Sequence, residues 1–138
     1  MRFEFATATR IIFGPGTLNE IAPAVAGFGP RFLVVTGSRP ERGDALCSLL
    51  ENAGHTVVRF TVPHEPDLPL IEAGVTLARK QRCDAVAAIG GGSVIDAGKA
   101  IAGLLTNSGP VMDYLEVVGA GRPLSHPSAP FVAIPTTA

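Results

Sequence analysis

Residues Ile89-Gly90-Gly91-Gly92-Ser93-Val94-Ile95-Asp96-Ala97-Gly98-Lys99-Ala100 join a short apolar run directly to a helical pattern. Three consecutive glycines leave no side chain between the main chain and a ligand, so the backbone can approach a bound group closely. The free N–H groups of a helix N-terminus then make an anion site. Ser93 can cap that helix or donate its hydroxyl to a phosphate. With Ser93 at the N-cap, Asp96 falls at N3, the Ser-x-x-Asp form of a capping box. Asp96 is then either a structural cap or a group that orients ribose or nicotinamide. Lys99 either pairs with Asp96 on the helix surface or meets the ligand. The chemistry expected is phosphate binding, of a dinucleotide in particular, and the opposing reading is a structural glycine cluster at an interface.

Other residues narrow this. The usual G-x-G-x-x-G fingerprint follows the first strand of a dinucleotide-binding unit, whereas here Val35 is followed by Thr36-Gly37-Ser38-Arg39-Pro40. Gly37 lets a ligand pass close to the strand end. No carboxylate at 36–38 can hold a ribose 2′-OH, while Ser38 and Arg39 can accept a 2′-phosphate. Arg39 reads equally well as a solvated surface charge. His55, His64 and His126 form no metal-binding spacing. Ser38, Ser93, Thr136 and Thr137 have no adjacent histidine to activate them. The sequence holds no complete catalytic set. Cys47 and Cys83 are isolated and read as buried free thiols.

An alternation of strands and helices positions these loops. Arg31–Val35, Thr56–Phe60, Ala85–Ile89 and Phe131–Ile134 read as strands, the first a continuous apolar run suited to a doubly covered parallel sheet. A helix beginning near Pro40, then Leu70–Gln81 and Ser93–Thr106, read as the covering helices, and Pro110–Leu115 as a short one. Phe3–Phe5 and Arg10–Phe13 are expected as two further strands. Thr17 and Glu20 are expected to cap a helix over Leu18–Val25. The fold class is α/β, a Rossmann-like parallel sheet with right-handed crossovers. Its ligand belongs beyond the carboxyl ends of the strands, where Thr36–Ser38, Gly90–Ser93 and Pro135–Thr137 meet.

The totals agree with one such domain. The 138 residues are 46% hydrophobic with a formal net charge of -1, which excludes disorder. The 11 basic residues are scattered, so no nucleic-acid footprint is expected. No long apolar span or leader pattern points to a membrane, and the cytoplasm is the expected compartment. The chain stops on an apolar strand and the start of a loop, so it is expected to be the front part of a longer protein.

Phe13-Gly14-Pro15-Gly16, Gly90 to Lys99, and Ala133-Ile134-Pro135-Thr136-Thr137-Ala138, in this order, carry a family likeness. The chain resembles the amino-terminal half of the iron-containing (group III) alcohol dehydrogenases, a family that also holds maleylacetate reductase-like enzymes. The resemblance implies an NAD(P)-binding domain over residues 1–138, of the dehydroquinate synthase-like kind. It puts Gly91, Gly92 and Ser93 on the pyrophosphate, Asp96 toward the nicotinamide, and Thr136 and Thr137 along the cofactor. It puts Gly37 and Ser38 by the adenosine, with Glu65 on a nearby loop where relatives often carry asparagine. NAD-using relatives often have aspartate at the position of Gly37, so its absence implies NADP, or use of both NADP and NAD. Relatives of the glycerol dehydrogenase and dehydroquinate synthase branches tend to carry lysine where Ser93 stands, which argues against a lyase. The family's Fe²⁺ or Zn²⁺ is held by one aspartate and three histidines of a helical domain expected after residue 138. The implied activity, in the full-length protein only, is hydride transfer between NAD(P)H and a small alcohol or aldehyde. A maleylacetate reductase-type enzyme and a stand-alone nucleotide-binding module are the alternatives. A homodimer or higher homo-oligomer is expected.

Overall fold

Arg31–Thr36 forms a strand buried along all but its first residue, because Phe32, Leu33, Val34 and Val35 have apolar neighbours on both faces. This strand, β1, is one of two inner strands in a parallel sheet. The computed structural model describes residues 1–3 and 7–137. The others are β2 (Thr56–Thr61), β3 (Ala85–Gly90) and β4 (Phe131–Pro135), in the order β2-β1-β3-β4. Leu33 stands opposite Val58 on one side and Val86 on the other, and Val86 opposite Phe131. β1 and β3 are near-continuous apolar runs, while β2 and β4 at the edges are only half-buried, as a doubly covered sheet requires.

The helices divide between the two faces. α1 (Ile21–Ala24) and α2 (Asp44–Asn52) place Ile21, Leu46 and Leu50 against Phe32, Val34, Ala85, Ala87 and Ile89. α3 (Leu68–Lys80) and α4 (Gly92–Leu105) place Ile71, Val75, Val94, Ala97 and Ile101 against Leu33, Val35, Val86 and Ala88. The strand order reverses after β2, so the crossovers diverge between β1 and β3. That gap is the topological switch point, where open α/β sheets take their ligands. The Rossmann-like α/β expectation therefore holds.

Three local expectations do not. Arg10–Phe13 is irregular, with Ile11 and Phe13 exposed. Among the described residues no strand lies beside it, and an apolar run without a hydrogen-bonding partner does not become a strand. Phe3 is also irregular, and the rest of the expected Phe3–Phe5 strand lies outside the described residues. The Thr17–Glu20 capping box does not form. Gly16, in the left-handed region at φ 77°, takes the cap position, and Thr17–Glu20 is a 3-10 turn leading into α1. The remaining boundaries move by a few residues at most. Pro110–Leu115 contracts to a 3-10 turn at Val111–Tyr114. Pro40–Gly43 is another, with α2 starting at Asp44.

Candidate functional site

Helix α4 begins one turn beyond the buried end of β3. Its N-cap is Gly91, in extended conformation, with no side chain bonded to the cap. The first bond from inside the helix back to the cap runs from Ile95 N–H to Gly91 O at 3.0 Å. The amides of Gly92, Ser93 and Val94 therefore have no intrahelical acceptor. The expected Ser93 cap is thus corrected: the helix starts at Gly92, and Ser93 lies inside its first turn. Its hydroxyl instead donates to Glu65 Oε1 at 2.6 Å. Asp96 consequently sits too deep in α4 to close a capping box. It is exposed, and among the described residues no ion pair joins it to Lys99.

The glycines differ in why they are glycine. A Cβ at Gly90 would stand 2.8 Å from a Val94 methyl, so that residue is fixed by packing. A Cβ at Gly91 would make only ordinary contact with Thr137 at 3.5 Å, and one at Gly92 would meet nothing within 4 Å. Neither has a positive φ. Neither packing nor backbone strain within the described residues demands glycine at 91 and 92. Bare backbone, open space and three free amides are what a bound diphosphate requires, so the residues present fit that part of a dinucleotide.

The space opens into a cleft of about 350 Å³ at the switch point. It is lined by Gly37, Ser38 and Arg39 after β1, Arg42, Ile89–Gly91 and Val94, and Thr136 and Thr137 after β4. Thr136 N–H donates to Gly90 O at 2.9 Å, which ties the Pro-Thr-Thr loop to the glycine loop. The structure thus brings Gly37, Ser38, Gly91, Thr136 and Thr137 together around one cavity. Gly92 and Ser93 continue its floor into α4, and Glu65 reaches that floor through Ser93. Asp96 and Lys99 are not among the lining residues. Arg42 is the lining residue that the sequence pattern missed. Its spacing of three from Arg39, on a Pro-initiated turn directly after a central strand, was the available sign.

Acyl or thiol chemistry finds no support. Cys47 and Cys83 are free and buried, as expected, and burial pushes both thiols up, away from the reactive thiolate. Among the described residues, no group of three or more His, Cys, Asp or Glu could hold a metal ion. The metal implied by the resemblance therefore finds no ligand set in this part of the molecule. No described helix is long and apolar enough to cross a membrane.

Comparison with known proteins agrees with this geometry. The family model for iron-containing alcohol dehydrogenase matches residues 8–138. A choline dehydrogenase of Bacillus subtilis (strain 168) is 34% identical over 97% of the chain, which covers 34% of that relative. An iron-containing alcohol dehydrogenase of Thermotoga maritima superposes with TM-score 0.84 at 31% identity, over 99% of this chain and 38% of its own. A sulfoacetaldehyde reductase of Bifidobacterium kashiwanohense, solved in complex with NAD+, superposes with TM-score 0.82 at 29% identity, over 99% and 36%. The chain spans about a third of the length of the curated relatives it matches. A glycine-lined cleft at the switch point of a parallel sheet, and a family match over nearly its whole length, make this chain a member of the iron-containing alcohol dehydrogenase family.

Proposed function

We propose that residues 1–138 are the cofactor-binding domain of an NAD(P)-dependent oxidoreductase that interconverts a small alcohol and its carbonyl compound. The observation that carries this is Gly92: a glycine with free space, no positive φ and an unpartnered amide, at the start of the helix that faces the switch point. The diphosphate lies on the amides of Gly92, Ser93 and Val94, and Gly91 keeps the approach clear. Thr136 and Thr137 flank the same passage and offer hydroxyls to the cofactor. Gly37 and Ser38 border the adenosine end, where the lack of a carboxylate favours NADP. Bound nicotinamide supplies or accepts the hydride. Metal ligands and substrate contacts come from a helical domain that follows this one, with Fe²⁺ or Zn²⁺ as the family's metal. The molecule works as a homo-oligomer in the cytoplasm.

The test is a fluorescence titration of the protein from its complete reading frame with NADH and NADPH, paired with a turnover assay on short alcohols and aldehydes. Micromolar binding that Gly91→Leu abolishes is expected, with turnover that tracks binding. Binding untouched by a leucine at that position places the dinucleotide elsewhere and overturns the reading.

A further inference from the structure

We infer that Arg42 and Arg39 form a two-guanidinium clamp for a phosphate monoester at the β1 end of the cleft, the group that distinguishes NADP from NAD. This rests on the reading of the cleft as a dinucleotide site. Both arginines line the cavity. They leave one short turn, Arg39 and then Pro40–Gly43, in which Arg42 N–H donates to Arg39 O at 3.1 Å. Pro40 stiffens that turn at its start. The turn is pressed onto the sheet, because a Cβ at Gly43 would stand 2.6 Å from the Thr36 methyl. The two cations are therefore held near one another by a rigid support, although both side chains are exposed.

The charges around them lack a counterweight. No carboxylate lines the cleft. Glu41 lies on the same turn but outside the lining, and Asp44 is engaged with Arg59 at 2.6 Å. Among the described residues neither Arg39 nor Arg42 takes part in an ion pair. The diphosphate of a dinucleotide is met at the other end of the cavity by the start of α4, so it does not account for two guanidinium groups here. A ribose 2′-OH would call for a carboxylate after the strand, and this wall offers the opposite charge. Gly37 also stays bare: a Cβ there would already be 3.3 Å from Val94. Forked guanidinium groups beside the Ser38 hydroxyl match a phosphate dianion in geometry and sign.

Titrations of the complete protein with NADPH and NADH, and competition by 2′,5′-ADP and 5′-ADP, test the clamp. NADPH should bind at least about tenfold tighter than NADH. Arg42→Gln should weaken NADPH and 2′,5′-ADP by about tenfold or more, as expected for one lost charge-assisted hydrogen bond, and leave NADH and 5′-ADP within about twofold. Arg39→Gln should behave alike, and melting curves of both variants should match the parent, since the side chains are exposed. Equal loss for both dinucleotides, or no loss for either, overturns the clamp. A parent protein that binds NADH well and NADPH no better also overturns it, with the dinucleotide reading intact. A parent that binds neither overturns both.

Discussion

Gly92 and Gly98 are helical glycines of the same element with opposite reasons for being there. Gly98 is glycine because the sheet leaves no room, and Gly92 is glycine although the space beside it is empty. Gly92→Ala should therefore leave stability unchanged or raise it, since alanine is favoured by about 1 kcal/mol inside helices. It should nonetheless weaken dinucleotide binding at least several-fold by placing a methyl where the diphosphate approaches. Paired urea melts and cofactor titrations read the two effects separately, and a loss of both together would mean that Gly92 is structural. Glu65 raises a different question. The Ser93 hydroxyl has one proton and gives it to Glu65, while an ionised diphosphate offers only acceptors. Ser93 cannot serve both, and the carboxylate adds negative charge beside an anion site. Glu65→Gln keeps an acceptor for Ser93 and removes that charge. It should tighten NADH and NADPH alike by about three- to tenfold at low ionic strength, an advantage that fades as salt is raised. At this scale the sequence showed the glycines, Ser38 and the threonines as ligand candidates. It could not show that Ser93 was already engaged, because its partner lies 28 residues away on another loop.

Elements whose partners are supplied by the sheet were legible from pattern alone. Leu33, Val35, Val86 and Ala88 alternate with Phe32, Val34, Ala85 and Ala87 between two separate clusters, and the helical apolar positions match them. The failures occur where an element depends on something no local pattern carries. Arg10–Phe13 lacks a neighbour to pair with. The loop between Val111–Tyr114 and β4 is held by Asn107, which is buried and donates to Gly103 O and His126 O and accepts from the Ser125 and His126 amides. Nothing in the local pattern marks that asparagine as a loop anchor. The contact between α4 and β3 is the tightest support beneath the cleft. A Cβ at Gly98 would stand 2.7 Å from Ala88 Cβ and 2.9 Å from the Phe131 ring. Ala88 is fixed to a central strand and cannot give way, so the crowding outweighs the gain in helix propensity. Gly98→Ala should cost about 1–3 kcal/mol, measured by denaturant unfolding. An unchanged midpoint would show that α4 is free to lift off the sheet.

The whole molecule adds what no single element has. Its cleft exists because the chain reverses its direction of growth between β1 and β3, so the loops after β1, β3 and β4 converge from both sides of the reversal. That convergence could be read from the strand–helix alternation, whereas the cavity's charge could not, because Arg42 reaches it only through the turn that follows β1. A dinucleotide seated there touches segments 37–42, 89–94 and 136–137, and thereby ties the two inner strands and one edge strand to one ligand. Unfolding must release it, so binding adds to stability by mass action: about 2.7 kcal/mol at a free concentration one hundred times Kd. For a domain of this size that corresponds to an upward Tm shift of about 5–10 °C. At equal concentrations NADPH should shift Tm more than NADH, because the clamp lowers its Kd, and Arg42→Gln should bring the two shifts together. Gly91→Leu should remove both. Differential scanning calorimetry with each nucleotide in excess measures this directly. A shift of equal size with 5′-ADP, NADH and NADPH would mean that only the shared adenosine diphosphate is held, and that neither the arginine wall nor the threonine side of the cleft contributes to binding.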